Sequence, residues 1–128
     1  MRLNPECVRD LLLYLEDKLP FTSHLCANNI EIPPYETTDI IHTVAKLTEA
    51  NYIKTSQISY SAETIPTFHI QSLTWCGHEL LDNIRDDNVW EKTKFVVAPF
   101  SSVSIGIIED ISNRLILKII DESLHLNP

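Results

Sequence analysis

The sequence predicts an α+β fold from three observations. Three stretches before residue 88 repeat apolar residues at helical spacing, two consecutive runs alternate as strands do, and the residues from 88 onward return to helical patterning. In the first stretch Asn4-Pro5-Glu6 reads as a helix start. Asn4 can cap free amides, Pro5 suits the first helical position, and Glu6 faces the positive end of the helix dipole. Val8, Leu11, Leu12, Leu15 and Leu19 follow as one apolar stripe that stops before Pro20. Residues 20–34 carry three prolines, and the alternation of Ile30-Glu31-Ile32 predicts an extended segment closed by Pro33-Pro34.

A second helix is expected over 37–50, with Ile40, Ile41, Val44 and Leu47 inward and Asn51 at a left-handed cap. The runs YIKTSQIS and PTFHIQS read as a hairpin with its tip at 60–65. Pro66 must then sit at a strand start or on an unpaired edge, because it has no N–H to donate. Thr74 can cap a third helix through about Arg85, with Cys76, Leu80, Leu81 and Ile84 as its apolar face and Gly77 giving close approach to a neighbour. Asn88 and Glu91 have capping-box spacing for a short helix carrying Trp90 and Phe95 and ended by Pro99. Ser101 or Ser102 is expected to cap a last helix over 103–121, whose apolar arc covers half the circumference and suggests two packing partners.

Helix, extended segment, helix, hairpin, helix is the order of a winged-helix domain, with 37–50 in the recognition position and 60–65 as the wing tip. A different small α+β fold, or a helical bundle with an incidental hairpin, are the alternatives. The expected division is a winged-helix-like domain over 1–87 and a C-terminal extension of two helices over 88–128, packed on it and available for dimerisation.

Composition narrows the function. The chain has 128 residues and only two glycines, Gly77 and Gly106, too few and too far apart for a phosphate-cradling loop. Its net charge is −8, and residues 1–87 hold 13 acids and 6 bases, which opposes binding to phosphate polymers and anionic headgroups. The N-terminal residues lack a signal-peptide core and no apolar run reaches membrane-spanning length, so the expected compartment is the cytoplasm. Cys7, Cys26 and Cys76 form no CxxC pair and read as small apolar residues.

Two stretches carry resemblances. LTEANYI at 47–53 resembles the winged-helix junction in which a recognition helix ends in Leu-x-Glu-Ala-Gly-Tyr-Ile and enters the wing, with Asn51 at the usual glycine. LTWCGHELLDNIRDDNVWEKTK at 73–94 resembles the signature of an uncharacterised family of small phage and prophage proteins of Gram-positive bacteria. That signature opens with Leu-Thr-x-x-Gly-His-Glu and runs to Asp-x-Ile-Arg and a tryptophan followed by lysines. The opening LNPECVRDLLLYLE is similar to the start of that family. The resemblance implies a winged-helix-like fold and a phage or prophage setting, and no particular chemistry. Leu80 departs from it by replacing an aromatic residue.

The outer face of the 37–50 helix, Thr38, Asp39, His42, Ala45, Lys46 and Glu49, sets one base against two acids and makes a poor phosphate anchor. His24-x-Cys26 and Cys76-Gly-His78 supply zinc-type ligands, but residues two apart on a helix point to nearly opposite sides. The cysteines lie in no strained turn or oxyanion context, and Glu16-Asp17, Asp86-Asp87 and Glu109-Asp110 read as solvated helix positions.

The expectation is therefore a non-enzymatic protein without cofactor or metal. It would bind a protein partner as an inhibitor or adaptor acting on a basic, nucleic-acid-handling or defence complex of a bacterial host. The alternative is a winged-helix DNA-binding regulator. Thr38, Asp39, His42, Lys46, Glu49 and Trp75 are the candidate partner contacts, and Ile108, Ile111, Leu115 and Ile119 the candidate homodimer face.

Overall fold

The computed structural model describes residues 1–59 and 66–126, so the expected wing tip at 60–65 lies outside the described residues. The fold is α+β: the described residues form five α-helices and a three-stranded antiparallel sheet in the order β1-β3-β2. The chain divides into two compact units, residues 1–79 and 80–128.

In the first unit, α1 (Pro5–Lys18) opens as its sequence dictates. The Asn4 side chain accepts from the Glu6 N–H at 2.9 Å, and Pro5 fills the first helical position, where no N–H is needed. Val8, Leu11, Leu12 and Leu15 are fully buried, each contributing roughly 1.5–3 kcal/mol of apolar burial. Their partners come from α2 (Thr37–Glu49), where Ile40, Ile41, Val44 and Leu47 face inward. The Asp39 side chain accepts from the Glu36 N–H at 3.0 Å at the start of that helix. The chain then turns through Asn51 at φ 64° into β2 (Ile53–Ser59).

β2 pairs with β3 (Thr67–Leu73) in the register Ile53↔Leu73 and Ser56↔His69, and Ile53 and Ile70 join the core. Pro66 directly precedes β3, the position its missing donor allows. Ile30 is extended as expected, but the strand that joins the sheet lies just before it. The paired residues are Leu25–Cys26 (β1), followed by a 3-10 turn at Ala27–Asn29, and Ile30 closes that turn with its side chain buried. Asn28 explains the change. Its amide donates to the Pro66 carbonyl at 3.2 Å and its oxygen accepts from the Phe68 N–H at 3.4 Å, so a side chain meets the β3 backbone where a longer strand would have.

The helix α3 (Trp75–Ile84) starts in the first unit, and the division falls within it. Thr74 caps it, accepting from the Gly77 N–H at 3.1 Å while donating to the Asn51 carbonyl at 2.6 Å. The expected close approach at Gly77 is real: a β-carbon there would overlap the Tyr52 carbonyl oxygen.

In the second unit, α4 (Asp87–Val97) is capped by Asp86, not Asn88, with the Asp86 carboxylate accepting from the Val89 N–H at 2.9 Å. The helix thus begins two residues earlier than expected, with Val89, Trp90 and Thr93 buried and Phe95 83% exposed. The last helix, α5 (Ile105–Leu126), begins later and runs further than expected. Ser104, not Ser101 or Ser102, caps it, accepting from the Ile107 N–H at 3.2 Å. It packs against α4 through Ile108 and Ser112, and the Thr93 and Ser112 hydroxyls meet at 2.8 Å. Asn83, near the end of α3, donates to Glu109 and accepts from Asn113.

Candidate interaction surface

The outer face of α2 forms because its inner face is used up by the core. With Ile40, Val44 and Leu47 inward, a period of 3.6 places Thr38, Lys46 and Glu49 in solvent and leaves Asp39, His42 and Ala45 half-buried at the margin. Lys46 is paired within the helix, its Nζ 2.8 Å from the Glu49 carboxylate. The face therefore offers no unpaired lysine, and Asp39 is engaged with the Glu36 amide.

His42 and Asp39 line a small cavity of about 80 Å³ together with Met1, Arg2, Asn4, Cys7 and Thr43. The approach of Met1 and Arg2 to α2 was not legible in the sequence, because it follows from how α1 docks on α2. At its floor, Thr43 Oγ1 donates to the Asp39 carbonyl at 2.7 Å and lies 3.3 Å from Cys7 Sγ. Burial pushes the Cys7 thiol above its ordinary value, the Thr43 hydroxyl opposes this, and Asp39 and Asp10 add to it. A buried, hard-to-ionise thiol is a packing group.

Trp75 sits at the first position of α3 and is 79% exposed. Its indole N–H donates to the Glu79 carboxylate at 2.7 Å, one helical turn on, which holds the ring against the helix surface. Thr74, the residue before Trp75, donates to the Asn51 carbonyl, two residues beyond Glu49. The lysine-poor α2 face and the exposed indole both belong to the first unit, whose sequence holds ten acids and five bases.

The cysteines and histidines part company. Only Cys7 of the three is fully buried; Cys26 is half-buried, its thiol 3.8 Å from Asn28 Oδ1, and Cys76 is exposed on α3, correcting its expected place on the apolar face. His24 and His78 line one groove of about 640 Å³ with Lys54, Glu16, Ser72 and the fully exposed Phe21. Neither paired cysteine lines it. Among the described residues no group of three or more His, Cys, Asp or Glu side chains is placed to hold a metal ion.

On α5 the four candidate dimer residues separate. Ile108 is 3% exposed and belongs to the interior of the second unit, so it presents no surface to a partner. Ile111 and Leu115 are half-buried, and Ile119 is 43% exposed. No described helix is long and apolar enough to cross a membrane.

No solved structure matches the chain. An uncharacterised protein of Haemophilus influenzae is 28% identical over 117 residues, spanning 91% of this chain and 96% of the relative. Residues 2–104, from the N-terminal segment to the cap of α5, match the family described as hypothetical protein (DUF2513). With the greater part of its length matched, the chain belongs to that family.

Proposed function

We propose that this protein is a non-enzymatic interaction module that binds a basic, nucleic-acid-handling or defence protein of a bacterial host, in a phage or prophage setting, as an inhibitor or adaptor. The observation that carries the reading is Trp75: a large aromatic ring kept in solvent and oriented by Glu79. Tryptophan is strongly enriched among residues that dominate protein–protein binding energy, and a ring already held in place loses little entropy on binding. The surrounding acidity steers a basic partner toward it.

The first unit is read as a winged-helix-like domain. The sheet order β1-β3-β2, with α2 directly ahead of the β2–β3 hairpin, supports that reading. In such a domain α2 is the helix that would enter a DNA groove. Its outer face argues for a protein partner instead, since Lys46 is already paired with Glu49.

The test uses the full chain and Trp75→Ala, with affinity capture from the bacterial host read by mass spectrometry and duplex DNA titrated near physiological salt. The expected result is a basic protein complex retained by the wild type and lost by the variant, whose circular dichroism is unchanged. Equal capture by both chains would refute the role of Trp75. Tight, specific DNA binding that weakens as salt rises would replace this reading with that of a transcriptional regulator.

A further inference from the structure

We propose that the groove between α1 and the end of the sheet binds a small phosphate monoester with an aromatic body, its phosphate held by Lys54, His24 and His78 and its ring by Phe21. The groove has a volume of about 640 Å³, within the roughly 300–1,000 Å³ of small-molecule sites. All of its lining residues belong to the first unit.

The strand register gathers the polar groups. β2 and β3 pair Lys54 with Ser72 and then Thr55 with Ile70, so Gln71 is an extra residue of β3 with no partner on β2. That is a β-bulge. In a regular strand consecutive side chains face opposite sides, yet Gln71 and Ser72 both line the groove, because a bulge re-aims the chain. On the other side of β3, one step beyond the Leu25↔Ile70 pair, the antiparallel register sets His24 level with Gln71. His78 is brought in by α3, whose Gly77 lies against the Tyr52 carbonyl, two residues before Lys54. Three nitrogen-bearing side chains from three parts of the chain thus line one groove beside one bulge.

The chemistry of this lining is weighted toward donors. Lysine offers three, a histidine ring at least one in either protonation state, and Gln71, Ser72, Thr22 and Ser23 add others. Glu16, on the α1 wall, is the one acceptor-only side chain among the described lining residues. Lys54 is exposed and, among the described residues, in no ion pair. A phosphate monoester answers such a set with three anionic oxygens on one atom, where a carboxylate has two. The chain's charge of −8 opposes a phosphate polymer, but a single phosphate responds to the groups within a Debye length of about 8 Å. The rest of the groove is apolar, with Leu15, Leu19, Pro20 and Leu73. Beside them Phe21 is 99% exposed, an uncovered flat ring on which an aromatic ligand can stack.

The test is titration calorimetry of the full chain with phenyl phosphate and with adenosine monophosphate, using phenol, adenosine and inorganic phosphate as controls. At least one monoester should bind at a single site with a dissociation constant below about 1 mM. Inorganic phosphate should bind about fivefold more weakly or less, and phenol and adenosine not at all. Lys54→Ala should weaken the monoester about tenfold or more, and Phe21→Ala about fivefold or more while leaving inorganic phosphate unchanged. Glu16→Gln should tighten it by removing a like charge. Lys54 and Phe21 are exposed, so circular dichroism should not change, and neither variant touches Trp75. No binding of either monoester, or equal binding by Lys54→Ala, would overturn the site. Adenosine as tight as its monophosphate would overturn the place of the phosphate, and a Phe21→Ala protein with unchanged monoester affinity would overturn that of the ring.

Discussion

Adding one methyl group at Gly77 tests the most constrained contact in the first unit. In the interior of an ordinary helix, glycine to alanine stabilises by about 1 kcal/mol. Here the new β-carbon would overlap the Tyr52 carbonyl oxygen, a backbone atom with little freedom. That carbonyl accepts from the Thr74 N–H at 3.0 Å, and the chain just before it is turned by Asn51 at φ 64°. Overpacking against backbone costs about 3 kcal/mol, at the upper end of its range. Losing the Thr74 bond as α3 shifts away costs about 1 kcal/mol more. After the helix-propensity gain, Gly77→Ala should destabilise by about 3 kcal/mol, which lowers the melting temperature by about 10 °C or more.

The assay is urea unfolding followed by circular dichroism, where the midpoint should fall by about 1.5 M at a slope of about 2 kcal/mol/M. Gly106→Ala supplies the comparison. It sits in the first turn of α5 with only the Ser104 hydroxyl, 3.8 Å away, near the new carbon, so it should be neutral or stabilising by up to about 1 kcal/mol. A Gly77→Ala protein as stable as the wild type, or two glycine variants that respond alike, would refute the reasoning.

Three further outcomes follow from buried polar groups. Thr93 donates to the Val89 carbonyl at 2.8 Å, so the Ser112 hydroxyl must be the donor in their shared contact. Thr93→Val therefore strands a buried donor and should cost about 2 kcal/mol, Ser112→Ala about 1, and the double variant no more than the first, as read in a thermodynamic cycle of urea midpoints. Thiol labelling with a disulfide reagent should modify Cys76 quickly and Cys26 more slowly, with Cys7 reacting only on unfolding. Stability should fall in alkali. Burial raises the Cys7 thiol above 9.0, and burial with the 2.8 Å bond to Asp10 raises the Tyr35 phenol above 10.0. Both contributions are complete below these values and are lost as the unfolded groups ionise first, so unfolding midpoints should decline from about pH 9 upward. Tyr35→Phe should flatten the part of that decline above pH 10.

How much of the fold was legible depended on whether an element's signal was local. Asn4-Pro5 and Asn51 act on amides within a turn of themselves, and the first two helices start and end accordingly. The β1 strand carries no local signal, because its position depends on Asn28 reaching Pro66 and Phe68, about forty residues away. Asp86 displaced Asn88 as the α4 cap although both are good capping residues, and three-dimensional packing of Val89 and Trp90 decides between them.

The candidate site divides in the same way. The residues on the outer face of α2 could be named from period 3.6, but the pairing of Lys46 with Glu49 and the approach of Arg2 required the folded chain. Trp75 could be placed at the head of its helix, yet its exposure was open, since a first-turn aromatic can face either way.

By itself the sequence determined the α+β class, the order of helix, helix and hairpin, and the acidic balance. Each of these is a property of neighbouring residues or of composition. Only the tertiary structure decided that Ile108 is interior while Ile119 is surface, though both lie on one stripe of one helix. Apolar periodicity marks a face that must be covered; what covers it depends on how far the neighbouring helix reaches, and α4 is half the length of α5.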